Sequence, residues 1–267
     1  MKNDIIDNLI HLMSTCTNLS NHIAADVKVI DDALCYFSGC EFPFVNGIFY
    51  NFKNKEMIAP DCLKNTVSYF SDKNISYIWW WLQQEELPEK TKIALDTHGF
   101  QPLGEFLGIG LKLDKINFFP VSDNITTKQV TTEEEYHNFM NIFCETAHLS
   151  DTVKNDLQYM FNSYGEGGKL NHYIGYISGK PAATLTSHIQ GKTVGLYSAT
   201  TLPEFQKNGL CTALIQHVLR DALNKGCDYA IAQLMATAMA KGLTEKIGFK
   251  THCRLLPFLK EPFPITT

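Results

Sequence analysis

The hydrophobic positions along the chain change period several times, and each change marks an element. Residues 1–38 carry apolar side chains at helical spacing, with acidic residues set among the first of them, and read as helical. GIFYNFKNK (47–55) reads as a strand, CLKNTVSYFSDKN (62–74) as a helix, and ISYIWWWL (75–82) as a buried strand rich in aromatics. LPEKTKIALDTHG (87–99) is helical, with Pro88 near its start and Gly99 as its stop. FLGIGLKL (106–113) alternates as a strand does.

From Asn117 to Thr127 the pattern breaks: Phe118-Phe119-Pro120 is followed by polar residues, which reads as the connection between two domains, 1–118 and 126–267. Two helices follow, TTEEEYHNFMNIFCETA (131–147), with threonine and acids at its start, and DTVKNDLQYMFNSY (151–164). Three strands come next, at 172–179, 181–189 and 192–201. A helix runs from Gly209 to Asn224, then a strand (229–235), a helix (239–248) and a closing strand from His252 to Leu259. Interleaved helices and strands with hairpins in the middle predict an α/β (α+β) fold with a mixed sheet.

The two halves can be laid over each other. Lys73-Asn74-Ile75-Ser76-Tyr77 falls opposite Lys225-Gly226-Cys227-Asp228-Tyr229, and Gly99-Phe100 opposite Gly248-Phe249. Helix–strand–helix–glycine is a common order, so chance is one reading. The shared Lys-x-x-x-Tyr start and Gly-Phe end favour duplication. Opposite Gln206 to Cys211 the first half has Asn54 to Ala59, with no glycine and with an acid, Glu56.

Composition narrows the class. A chain of 267 residues suits two domains, and 45% hydrophobic with 19% charged residues is globular. A net charge of -5 without a basic stretch argues against a nucleic-acid partner. Acids inside the first apolar pattern argue for an amphipathic helix rather than a signal peptide, and no apolar run is long enough to span a bilayer. The expectation is a soluble cytoplasmic protein without a membrane partner. The eight cysteines form no CxxC pair and read as reduced structural thiols; no His/Cys cluster has metal-ligand spacing, so no metal is expected.

One turn carries candidate chemistry. Gly209 opens a helix just after a strand, where unpaired N–H groups and the helix dipole favour an anion. Lys207 adds a cation, and Leu210, Cys211, Thr212 and Ala213 keep the turn free of bulky polar groups. Alone, such a glycine is more often a turn residue than a phosphate ligand.

The surrounding segment, 195–249, resembles the GCN5-related N-acetyltransferase (GNAT) family. Gln206, Asn208-Gly209, Leu210 and Cys211 are similar to its Gln/Arg-x-x-Gly-x-Gly/Ala loop. Thr201-Leu202-Pro203 stands where the preceding strand ends, and Ala240, Leu243, Glu245, Lys246, Ile247, Gly248 and Phe249 follow the family's later run in order. The resemblance covers roughly 126–267. It implies a mostly antiparallel mixed sheet flanked by helices, which the internal repeat extends to two tandem copies, the first degenerate. It also implies an enzyme that moves acetyl from acetyl-coenzyme A to an amine acceptor, small molecule or protein. Thr200, Thr201 and Leu202 would then lie along pantetheine, and Gln206, Lys207, Asn208, Gly209, Leu210, Cys211 and Thr212 around the pyrophosphate. Thr237 stands where the family has a polar residue near pantetheine, and a helix cap is its other reading. The Leu202 N–H would face the developing oxyanion.

The chain departs from the family at one catalytic position. The tyrosine that serves as acid for the leaving thiolate is replaced by Thr244, too weak an acid for that role. Tyr197 is the nearest tyrosine, with a core aromatic as its other reading. Glu204 and His188 have surface readings beside the functional ones, and Trp79-Trp80-Trp81 read as core. The departure keeps open a second class of function: a non-catalytic acyl-coenzyme A-binding or regulatory interaction module. The scaffold selects neither acceptor nor oligomeric state.

Overall fold

A computed structural model of the chain describes residues 1–20, 22–50, 59–82, 86–161 and 170–262. The expected strand beyond Tyr50, the stretch 54–58 set against the loop, and the end of the helix expected to 164 lie outside these residues. The helices are α1 (Lys2–Leu19), α2 (Pro60–Ser71), α3 (Glu89–Thr97), α4 (Glu133–Thr146), α5 (Asp151–Phe161), α6 (Leu210–Asn224) and α7 (Ala238–Ile247). The strands are β1 (Asp26–Ile30), β2 (Ala33–Phe37), β3 (Asn46–Tyr50), β4 (Tyr77–Trp81), β5 (Gln101–Pro102), β6 (Phe106–Lys112), β7 (Ile125–Gln129), β8 (Asn171–Ile177), β9 (Lys180–Gln190), β10 (Thr193–Thr201), β11 (Tyr229–Met235) and β12 (Lys250–Lys260). Among the described residues, no helix is long and apolar enough to cross a membrane.

The chain forms two compact units, and neither is a continuous half. One comprises Met1–His11 and Gly108–His252, the other Leu12–Leu107 and Cys253–Thr267. The division thus differs from the sequential one at 118–126: α1, β6 and β12 each begin in one unit and end in the other.

The unit around Trp79 holds strands in the order β1-β2-β3-β4-β12. The helix expected over 1–38 stops at Leu19. Residues 26–37 instead form a β1–β2 hairpin, with register from Asp26↔Phe37 to Ile30↔Ala33. Asp31 supports the turn with φ 50, a left-handed conformation that Asp tolerates and that hairpin turns need. β3 and β4 run parallel, and β4 pairs antiparallel with β12. Every residue of β4 is buried. Tyr77, Trp79 and Trp81 join Phe70, Leu95 and Phe100 in one cluster. Trp80 points the other way, donating its Nε1–H to the Tyr36 hydroxyl at 2.9 Å and stacking on Phe49. The three tryptophans are core, as their alternation on a central strand requires.

The other unit orders its strands β6-β11-β10-β9-β8-β7. β7 to β10 are antiparallel, and β10–β11 is a parallel pair. α4 packs on β8–β10, and α6 on β7–β10. They take opposite faces. His172 packs on Phe139 of α4 and Phe161 of α5, while its neighbour Tyr173 meets His217 of α6. α4 starts at a complete capping box: Thr132 accepts from the Glu135 N–H, and the Glu135 side chain accepts from the Thr132 N–H. The Ser178-Gly179 turn joins β8 to β9 with φ 50 and 78, the signature of a tight hairpin.

His172 is fully buried. Its Nε2 is 2.9 Å from the Phe161 carbonyl, which can only accept, so Nε2 carries the proton and Nδ1 accepts from the Thr186 hydroxyl at 2.9 Å. Burial of this neutral ring lowers its pKa from 6.5 to about 4. A group with a depressed folded pKa and a neutral buried form stabilises the fold fully above its unfolded pKa. That contribution, up to about 3 kcal/mol, is lost as pH falls from roughly 6.5 to 4. Denaturant midpoints measured across this window should fall steadily. His172→Gln should have a lower midpoint at neutral pH and a shallower decline below it; an unchanged slope would show that His172 does not titrate there.

Candidate functional site

The site is built on the parting of two parallel strands. β10 and β11 pair from Thr193↔Tyr229 to Leu196↔Ala232 and no further. β10 then continues on β9 through a bulge: Tyr197 faces Thr186 and Thr200 faces Thr184, so Ser198 and Ala199 together oppose Leu185. Ser198 takes a φ of 50 there, and the Thr184 hydroxyl donates to its carbonyl at 2.9 Å. Beyond the bulge the Leu202 N–H donates to the Ala182 carbonyl at 2.9 Å. The donor expected to face an oxyanion is therefore engaged in the sheet. Thr200 is half-buried, and the Thr201 hydroxyl is buried without a hydrogen-bond partner among the described residues.

A short 3-10 turn, Pro203–Phe205, leads from β10 into the loop, with Glu204 exposed. Gln206 and Asn208 hold the loop closed: Gln206 Nε2–H donates to the Thr201 carbonyl at 3.1 Å. Asn208 Nδ2–H reaches the Phe205 and Gln206 carbonyls at 3.3 and 3.2 Å. Lys207 and Gly209 are both left-handed, with φ of 64 and 81. Lys207 is exposed and lies three residues before α6.

α6 begins without a side-chain cap and without an acid in its first turn. The Ala213 N–H bonds back to the Gly209 carbonyl at 3.0 Å, so the N–H groups of Leu210, Cys211 and Thr212 precede the helical ladder. A Cβ placed on Gly209 would meet no atom within 4 Å; the loop faces open space. Burial pushes the Cys211 thiol up to about 11, so it is neutral at pH 7 and puts no negative charge beside these donors. Amides ahead of the ladder, a helix dipole, one lysine and room for approach are features that suit an anion.

The later residues divide. The Thr237 hydroxyl accepts from the Ala240 N–H at 3.3 Å and caps α7, which is the second of its two expected readings. The Thr244 hydroxyl bonds back to the Ala240 and Lys241 carbonyls of its own helix, at 3.0 and 3.1 Å. Met235 and Met239 are exposed on either side of Thr237.

Three contacts at the parting strands have no counterpart in the sequence expectations. The Tyr197 hydroxyl donates to Asn8 Oδ1 of α1 at 2.6 Å. Gln233, the first β11 residue past the pairing, points its Nε2 at the Ile5 carbonyl, 3.5 Å away. His188, expected as a surface residue, is 2% exposed, and its Nε2 lies 2.7 Å from His11 Nδ1. The two ring centroids are 4.9 Å apart with planes 25° from parallel, the spacing of imidazoles sharing one roughly in-plane N–H···N bond. The only local signal for Asn8 was a polar residue between Ile5 and Leu9, on a face where both of these are buried.

The described residues contain no group of three or more His, Cys, Asp or Glu able to hold a metal, and all eight cysteines are free thiols. A mostly antiparallel mixed sheet, one parallel pair that parts, and an uncapped glycine loop at the next helix define the class: a GNAT-type fold. The model described as Acetyltransferase (GNAT) family matches residues 131–249, the segment that holds α4 to α7 and the loop at Gly209. Solved structures extend the likeness to both halves. A functionally unknown conserved protein from Staphylococcus epidermidis is 14% identical, with 91% of this chain and 96% of that one covered at a TM-score of 0.72. A GCN5-related N-acetyltransferase from Kribbella flavida is 13% identical, with coverage of 88% and 89% and a TM-score of 0.65. One from Sphaerobacter thermophilus is 11% identical, with coverage of 86% and 76% and a TM-score of 0.66. At these identities the likeness is one of fold. No curated protein matches the chain in sequence.

The loop geometry can be checked without a ligand. Gly209→Ala adds a Cβ that touches nothing, so its cost is the left-handed backbone alone, about 1 kcal/mol. Gly248→Ala, with φ 117 and a Cβ only 3.1 Å from the Lys115 carbonyl, should cost more. Equal losses in denaturant unfolding would contradict this account.

Proposed function

We propose that the GNAT domain binds acetyl-coenzyme A and transfers its acetyl group to an amine, on a small molecule or a protein. The observation that carries this reading is the start of α6. Its first amides are uncapped, Gly209 leaves open space above them, and Lys207 stands beside them. The bound cofactor supplies an activated thioester. The chain supplies Lys207, Gly209 and the amides of Leu210 to Thr212 for the pyrophosphate. Thr200, Thr201 and Leu202 flank the pantetheine arm. The buried, unpartnered Thr201 hydroxyl fits such an arm, which brings amide groups able to pair with it. Gln206 and Asn208 act by holding the loop in shape.

We further read the unit around Trp79 as a degenerate copy. It repeats the parallel pair, with β3–β4 in the place of β10–β11 and a helix between each two strands. The first-half sequence opposite the loop lacks glycine, so one cofactor is expected per chain. A second reading, binding without turnover, has its own support: the Thr244 hydroxyl is engaged in its helix, and the Leu202 N–H in the sheet. Under the enzymatic reading, Tyr197 is the tyrosine proposed to protonate the leaving thiolate, for which its O–H would have to leave Asn8 Oδ1.

Calorimetry should show one coenzyme A per chain. Gly209→Glu, which puts bulk and negative charge where the pyrophosphate approaches, should abolish binding; undiminished affinity would refute the site. Thiol release from acetyl-coenzyme A over a panel of amines separates catalysis from binding alone. In that assay Thr244→Val should stay within a few fold of the parent, because its hydroxyl serves its own helix. Tyr197→Phe should lower the maximal rate by about 10²-fold with the affinity for coenzyme A itself unchanged, if the phenol is the acid. The opposite ranking of the two variants would exchange their roles.

A further inference from the structure

The N-terminal helix brings an unexplained polar group to the parting strands. Asn8 is 1% exposed. One end of its amide, Oδ1, accepts the Tyr197 O–H at 2.6 Å. The other end, Nδ2, is buried with no hydrogen-bond partner among the described residues. A buried amide left this way costs stability, and native structures rarely retain one without a use. Its place is informative. Tyr197 and Gln233 are the first residues of β10 and β11 past their last paired positions, Leu196 and Ala232. Both bond to one turn of α1, Tyr197 to the Asn8 side chain and Gln233 to the Ile5 carbonyl. α1 therefore lies against the first unpaired residues of both strands, and Asn8 is the buried polar residue it brings there. Gly195 makes this approach possible, since a Cβ there would come within 2.3 Å of Asn8 Oδ1 and 2.5 Å of the Tyr197 ring.

We infer that Asn8 is a substrate-binding residue whose Nδ2–H donates to the acyl carbonyl oxygen of the bound thioester. This rests on the acetyl-coenzyme A reading above. The strand gap is where the pantetheine arm leads, and its inner end is where the acyl group stops. A carbonyl oxygen there needs a donor. The Leu202 N–H is engaged with Ala182, whereas the Asn8 amide is buried, held by Tyr197 and otherwise unpaired. Fixed by a short hydrogen bond on one side, the amide is oriented before the ligand arrives. Tyr197 acts on this donor as a positioning residue, besides any part its own proton plays.

The test compares coenzyme A with acetyl-coenzyme A by calorimetry on the full chain, so no acceptor needs to be known. The two ligands share the pyrophosphate and the arm and differ by the acyl group. The parent should bind acetyl-coenzyme A about fivefold more tightly, the scale of one neutral hydrogen bond to a buried donor. Asn8→Asp keeps an oxygen to accept from Tyr197 but removes the N–H donor; it should erase or invert that preference while binding coenzyme A as the parent does. Because a buried carboxylate endangers folding, Asn8→Leu with Tyr197→Phe provides the second variant. It removes both polar partners, should melt at or above the parent temperature, and should also lose the acetyl preference. A preference retained in either folded variant overturns the inference, as does a parent without one. Loss of both ligands in the variants also overturns it, since Asn8 would then support the site as a whole. A parent that binds neither ligand refutes the cofactor reading itself, and this inference with it.

Discussion

Once β10 and β11 stop pairing after Leu196 and Ala232, the backbone and side chains beyond must find partners elsewhere, and most of the site is the set of answers to that demand. β10 stays on β9, but only by inserting an extra residue in the bulge at Ser198-Ala199 and by closing on Ala182 through the Leu202 N–H. β11 runs on to Met235 without β10, with Gln233 turned to the Ile5 carbonyl. β10 leads through the Pro203–Phe205 turn into the loop at Gly209, so under the proposed cofactor reading the anion site and the cleft for an extended arm come from one break in one sheet. Neither needs a dedicated domain.

The same break explains the polar groups around it. Buried polar atoms in this unit are paired in most places: His172 has Thr186 and Phe161, and His188 has His11. Among the described residues of this unit the exceptions are Thr201 Oγ1 and Asn8 Nδ2, and both sit on or against the separated strands. Unpaired donors and acceptors are costly in a packed interior, and they are tolerated where a ligand is expected to complete them. Lys207 and Ser198, two residues other than glycine held at positive φ, lie in the same stretch of chain.

The unit around Trp79 uses a related pattern for a different end. β3 and β4 are also a parallel pair joined through a helix, yet the interior behind β4 is filled by Tyr77, Trp79, Trp81, Phe70 and Phe100. Aromatic rings fill volume with few rotatable bonds and bury large apolar areas, so this unit is built for packing. A shared architecture therefore need not carry a shared chemistry: α2 also starts without a side-chain cap but has Asp61 in its first turn, whereas α6 follows Gly209 and has no acid there.

What could be read along the chain was whatever neighbouring residues settle among themselves. The α4 start was legible because Thr132 and Glu135 cap it within one turn, and the α6 start because Gly209 marks the turn before an apolar helical run. The β4 core followed from three tryptophans in a row. The hairpin at Asp26–Phe37 was not legible: its apolar spacing also suits a helix, and the turn at Asp31 decided it. Nor was the division into units, because α1, β6 and β12 are exchanged between them by the path of the chain. Asn8 and Tyr197 are 189 positions apart, and His11 and His188 are 177 apart. No local pattern pairs such residues; only the fold sets Asn8 against Tyr197 and His11 against His188. Turns, caps and periodicity are short-range physics and belong to the sequence, whereas the choice of partner across a sheet face is fixed only when the whole chain has closed.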